Sequence, residues 1–171
     1  SIFAAITGYL NFASKAGYFL KARDGVSYFD VDAMREYMSS LPSNQPVVVF
    51  GFTYILYSNV LKALNGKGIK LKLPEGSKII HIGGWKKLES EKISKELFNA
   101  QLAECFGIEP EDVIDIYGFT EQMGLNYPDC PCGCKHESSY VKVLVRDVVT
   151  NKVLPAGEEG KLEFITPIPH S

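Results

Sequence analysis

The chain has 171 residues, of which 46% are hydrophobic, 22% charged and 12% aromatic, and its formal net charge is -2. That is globular composition, so disordered, collagen-like and low-complexity classes are excluded. The length fits one domain or a piece of a larger one, and a chain of this size buries roughly 70% of its unfolded surface. Lys and Arg number 18 against 20 Asp and Glu; nucleic-acid-binding domains are usually basic, so no nucleic-acid partner is expected. No apolar run is long enough to predict a membrane span. No basic stretch leads into an apolar run with a small-residue cleavage site, so no secretory signal is expected. The four cysteines show no distant pairing scheme, which predicts reduced thiols and a cytoplasmic location.

In chain order, Phe3, Ile6, Leu10 and Phe12 among small residues predict a buried helix over about residues 2–14. Asp30 is a helix cap, with Asp32 and Glu36 near the positive end and Met34, Tyr37, Met38 and Leu41 as apolar positions. Val47 to Phe50 is a short β-branched run ending at Gly51, the pattern of a buried parallel strand. Tyr54 to Leu64 has helical spacing and ends at Asn65-Gly66. Lys78 to Ile82 is a second strand, closed by Gly83-Gly84. Ser90 opens a helix to Phe106, with Ile93, Leu97, Ala100 and Leu102 as its apolar face and Gly107 as its stop. Val113 to Tyr117 is a third strand, ending at Gly118. Residues 121–138 form an irregular loop, followed by strands over Tyr140 to Arg146 and Lys161 to Thr166, with turns at Thr150-Asn151 and Ala156-Gly157.

This order predicts a single α/β piece. Residues 1–45 form a helical lead-in, 46–120 a parallel βαβαβ sheet of Rossmann-like type flanked by helices, 121–138 a cysteine-rich loop and 139–171 an antiparallel β addition. Crossovers of about 25–30 residues suit parallel, right-handed connections. The chain closes on Pro167 to Ser171 straight after a strand and opens in an apolar helix, so it is expected to be a fragment.

Ligands bind parallel sheets at the carboxyl ends of the strands. Those ends carry Gly51-Phe52-Thr53, Gly83-Gly84-Trp85 and Tyr117-Gly118-Phe119-Thr120-Glu121. The third offers an aromatic plane for a base, a hydroxyl for a phosphate oxygen and a carboxylate for a hard cation such as Mg²⁺. The bland alternative is an ordinary strand end whose Tyr packs and whose polar groups face solvent.

The string DIYGFTEQ, Asp115 to Gln122, resembles the Tyr-Gly-x-Thr-Glu motif of the adenylate-forming superfamily, which includes acyl-CoA synthetases. Gly83-Gly84 resembles the adenine-binding glycine segment of that superfamily, and Leu154 to Pro167 its Gly-Glu-x-Gly-Glu-Leu segment. HIGGWKKLE, YGFTEQMG, YPDC and GCKH are most similar to the LuxE-type acyl-protein synthetases, over about Val47 to Pro167. The resemblance implies part of a large ATP-binding domain that activates a fatty carboxylic acid as its acyl-adenylate. The acyl group then passes to a protein thiol, with an acyl-CoA reductase as partner. It implies that Tyr117 stacks on adenine and Asp115 accepts from the adenine amino group. Gly83 and Gly84 pass their backbone along the other face, Trp85 is a nucleotide contact or else a partly buried anchor, Gly118 and Phe119 lie near the acyl carbonyl, Thr120 touches the α-phosphate, and Glu121 ligates Mg²⁺. Trp85-Lys86-Lys87 departs from the Ala-Pro common after the glycines. The phosphate loop, the ribose-binding Asp, the C-terminal lysine domain and the acyl-accepting cysteine are not in this sequence, so the piece is expected to be inactive alone.

Cys130, Cys132, Cys134 and His136 put three thiols and an imidazole within seven residues, a ligand set suited to structural Zn²⁺. Their spacing departs from the Cys-x₂-Cys pair of standard fingers, and free thiols in a loop are the alternative. Two other readings of the whole stay open: a phenylacetate-type aryl-CoA ligase, acting on an aryl acid, and a non-catalytic zinc-stabilised α/β interaction module.

Overall fold

The computed structural model describes residues 13–118 and 125–167. The helix expected over 2–14 lies outside them but for its last two positions. The chain divides into two compact units, residues 1–117 and 118–171.

The first unit opens with an antiparallel hairpin, β1 (Leu20–Arg23) and β2 (Val26–Phe29), in which Leu20 faces Phe29 and Arg23 faces Val26. Asp24 and Gly25 between them have φ of 52° and 77°, the left-handed pair that tight hairpins favour. The sequence reading gave residues 1–45 as a helical lead-in; the hairpin stands ahead of the helix there, and Asp-Gly was its overlooked signal. Helix α1 (Val31–Ser39) starts as predicted: Asp30 accepts from the Ala33 amide at 3.0 Å. Lys21 also donates to Asp30 at 2.7 Å, and that bond, with the Ala33 amide next, holds the carboxyl below its ordinary range.

Three parallel strands follow, β3 (Val48–Phe52), β4 (Lys78–Ile82) and β5 (Val113–Tyr117), side by side in that order. The register pairs Val48 with Lys78, Phe52 with Ile82, Ile79 with Val113 and Ile82 with Ile116. All three fall where the β-branched runs predict them, and the α/β class holds. Between β3 and β4 runs helix α2, in three stretches: Thr53–Ile55, a π-helical Leu56–Leu61, and Lys62–Gly66. In the middle stretch the Lys62 amide bonds to the Tyr57 carbonyl five residues back. Asn59 on this helix donates to the Ser27 carbonyl of β2 at 2.8 Å.

Helix α3 (Lys95–Phe106) begins five residues later than Ser90. Ser94 is its cap, accepting from the Leu97 amide at 3.2 Å, and Lys86–Glu91 forms a separate 3₁₀ segment. The later start moves the buried stripe. Phe98, Leu102, Ala103, Cys105 and Phe106 are buried, while Leu97 and Ala100 are exposed. The stop at Gly107 is as expected, with φ 64°. Beyond it, the Leu71 and Leu73 amides donate to the Cys105 and Phe106 carbonyls at 2.7 and 3.0 Å, satisfying groups a helix end leaves open. The core joins Leu56, Leu61 and Leu64 of α2, Ile79 of β4, Val113 of β5 and the α3 stripe.

The second unit has its own small core of Leu125, Tyr127 and Val141, packed by Val143 and Phe164. Tyr127–Pro128 is a short strand, β6. Strands β7 (Lys142–Arg146) and β8 (Lys161–Ile165) pair antiparallel, the predicted β addition. Arg146 donates to Glu163 across them at 2.6 Å. Asp147 closes the following turn by accepting from the Thr150 and Val149 amides at 2.6 and 3.1 Å. Among the described residues, no helix is long and apolar enough to cross a membrane.

Candidate functional site

The register of the parallel strands sets the site. Phe52, Ile82 and Ile116 lie side by side, so the residues that follow them, Thr53, Gly83 and Tyr117, leave the sheet at one carboxyl edge. Two of the three segments singled out by sequence therefore come together, joined by the start of the third. Gly83 and Gly84 have φ of 88° and 54°, a conformation that side chains resist. A Cβ on Gly84 would meet open space, whereas one on Gly83 would touch the Phe52 ring at 3.4 Å. The pair thus presents bare backbone. Tyr117, at the end of β5, is 44% exposed.

Behind this edge sits a buried polar cluster. His81 on β4 is 3% exposed and lies opposite Asp115 on β5. Its Nδ1 is 2.9 Å from Thr53 Oγ1 and 3.5 Å from Asp115 Oδ1. The Thr53 hydroxyl also reaches the Ile82 carbonyl at 3.4 Å, and the imidazole tautomer sets which of Oγ1 and Nδ1 donates in the shorter contact. The imidazole edge meets Phe98 of α3, with centroids 5.1 Å apart. His81 is thus a hydrogen-bonded core residue. Asp115 is partly exposed, with Oδ1 3.5 Å from the imidazole.

Trp85 follows the glycine pair directly. It is buried, edge-on to Tyr57 at 4.8 Å and Phe98 at 5.7 Å, so its ring anchors the glycine turn to α2 and α3. Gly118 follows β5 directly. Phe119, Thr120 and Glu121 lie outside the described residues, and so does the cation position assigned to Glu121.

The cysteine loop folds as a tight hairpin. The Cys130 amide donates to the Cys134 carbonyl at 2.8 Å, the Gly133 amide to the Cys130 carbonyl at 2.8 Å, and the His136 amide to the Pro128 carbonyl at 2.9 Å. Asp129 faces Lys135 across it, joined at 3.1 Å. Cys130 Sγ and Cys132 Sγ are 2.7 Å apart. Among the described residues no three His, Cys, Asp or Glu side chains converge as a metal site. The hairpin therefore brings together two of the four groups predicted as zinc ligands, Cys130 and Cys132, and does not gather Cys134 and His136 with them into a ligand set.

The family model for acyl-protein synthetases of the LuxE type matches residues 1–171, the whole chain. The chain belongs to the LuxE acyl-protein synthetase family. No curated protein matches it. Membership makes this a chain of an acyl-protein synthetase family, and it agrees with the LuxE-type resemblance carried by HIGGWKKLE, YGFTEQMG, YPDC and GCKH. Local reading of this LuxE-family sequence missed the role of Thr53. A Thr after Gly51-Phe52 at a strand end signals a hydroxyl at the site's edge, but its partner His81 is 28 residues away.

Proposed function

We propose that this chain forms the nucleotide-binding part of an ATP-dependent acyl-activating ligase. In this reading a carboxylate, most simply a fatty acid, attacks the α-phosphate of ATP, giving an acyl-adenylate and pyrophosphate. The acyl group then moves to a protein thiol, for delivery to an acyl-CoA reductase. A carboxylate is a poor electrophile, and adenylation supplies the leaving group it lacks. The protein's contribution is positioning and charge stabilisation around the phosphates.

The observation that carries the reading is the shared carboxyl edge, where a bare Gly83-Gly84 backbone and the exposed Tyr117 ring follow neighbouring strands. A flat base fits between a ring and a side-chain-free backbone. Asp115 accepts from the base's amino group, with the His81 imidazole 3.5 Å behind that carboxylate. Gly118 and Phe119 lie toward the acyl carbonyl. Thr120 donates to the α-phosphate. Glu121 holds Mg²⁺, which supplies charge neutralisation at the phosphates.

The test is carboxylate-dependent exchange of labelled pyrophosphate into ATP by the full-length gene product, with a panel of fatty and aryl acids. Exchange with fatty acids, lost in Glu121→Ala, is the expected result. Exchange confined to aryl acids with free coenzyme A as acceptor would instead establish the phenylacetate-type ligase. A folded protein with no exchange for any acid would sink the adenylation reading.

A further inference from the structure

The Cys130–Cys132 pair lies outside the proposed nucleotide site, and the geometry of its hairpin stands independently of that proposal. From it we infer that Cys130 and Cys132 are a redox-active dithiol that closes reversibly to a disulfide when it meets a disulfide oxidant.

Three observations carry this. The two sulfurs are 2.7 Å apart, within about 1 Å of the ~2.05 Å bonded length and well inside ordinary contact. The backbone holds them there. Gly133 donates back to the Cys130 carbonyl at 2.8 Å, closing a turn over Pro131-Cys132, and Gly133 itself has φ 79°. Pro131 fixes its own φ, so little backbone movement separates the reduced from the oxidised pair. Both thiols are reachable: Cys132 is exposed and Cys130 partly so. The fourth cysteine is a built-in contrast. Cys105 is buried, its thiol lies 3.3 Å from Asn65 Oδ1, and burial pushes its pKa up, which keeps it protonated and inert.

The reaction balances with a small disulfide, RSSR, as oxidant. The exposed Cys132 thiolate attacks one sulfur of RSSR, forming a mixed disulfide and releasing the first RSH. Cys130 then attacks the Cys132 sulfur, forming the Cys130–Cys132 bond and releasing the second RSH. Two electrons and two protons leave the dithiol and appear in two molecules of RSH. The closeness of Cys130 makes this second step intramolecular and faster than further exchange with bulk thiol.

Oxidised glutathione is the probe, applied to the full chain, with free-thiol titration and peptide mapping by mass spectrometry. Counted after unfolding in denaturant, so that buried Cys105 reacts too, the expected result is a fall from four titratable thiols to two. The peptide holding Cys130 and Cys132 loses two hydrogen masses, and dithiothreitol restores them. Cys134→Ser leaves this unchanged, while Cys130→Ser stops at a glutathione adduct on Cys132. The wild-type map needs no variant, so a misfolded substitution does not leave the question open. A bond mapped to Cys134 or Cys105, a stable glutathione adduct on the wild type, or thiols that react only after a chelator strips a metal would each overturn the assignment.

Discussion

At the scale of single residues, the position of His81 matters most. A histidine inside an apolar strand reads from sequence as a satisfied core group, and its neighbours in the chain say no more than that. What it is satisfied by depends on register: Thr53 comes to it from the start of α2 and Asp115 from β5, over separations that local periodicity does not encode. Thr53→Val keeps the shape and removes the hydroxyl, leaving the buried ring short of a partner. We expect a loss of about 1–3 kcal/mol, read as a lower denaturant midpoint with an unchanged slope. An unshifted midpoint would mean that the 2.9 Å contact contributes nothing. Trp85 is legible in another way: an indole next to a glycine turn gains by leaving water, and it packs edge-on to Tyr57 and Phe98.

Elements were legible wherever one face repeats. β3, β4 and β5 were plain as β-branched runs, and α1 as a capped amphipathic stretch. Helix α3 was found but started too early, because Ser90 and Ser94 are both fair caps and only the packed structure chooses between them. The choice has an energetic consequence. Leu102→Ala should cost about 2–5 kcal/mol, since Leu102 is fully buried. Leu97→Ala should stay within about 0.5 kcal/mol, since Leu97 is 47% exposed. Paired denaturation curves decide it, and equal losses would restore the stripe predicted from sequence. The β1–β2 hairpin went unread because its strands are only four residues each, too short for a clear alternation, although Asp24-Gly25 announces it.

For the whole molecule, several ion pairs and caps set the response to pH. Asp30, Glu104 and Asp147 are held below the ordinary carboxylate range by the Lys21 hydrogen bond, the Lys70 hydrogen bond and the Thr150 amide respectively. A depressed carboxyl adds stability that is present above its unfolded pKa and lost as pH falls through the folded value. Lys21, Lys62 and Lys70 are raised by hydrogen bonds to Asp30, Glu91 and Glu104. Their contribution is complete below the unfolded lysine pKa and is lost only as pH rises through the raised one. Tm should therefore be level from about pH 5 to 10 and fall below about pH 4. Every one of these groups is open to solvent, so about 1 M salt should flatten the acid fall by screening. A Tm that rises on acidification would refute the account. At this scale the division into two units was not foreseen. The sequence reads as one α/β piece, because two small cores and one larger core leave the same alternation of apolar residues.

The π-helical stretch of α2 gives the first unit an allowance for length. An α-helix turns about 100° per residue, so removing one residue from α3 would swing its buried stripe away from the sheet. The wide turn at Leu56–Leu61 already carries a surplus residue. Shortening it by one lets the stretch relax into ordinary helix while Thr53 and Leu64 keep their facing. Relatives differing in length by a single residue can thus absorb the difference here, between the site's hydroxyl and the core, with neither displaced.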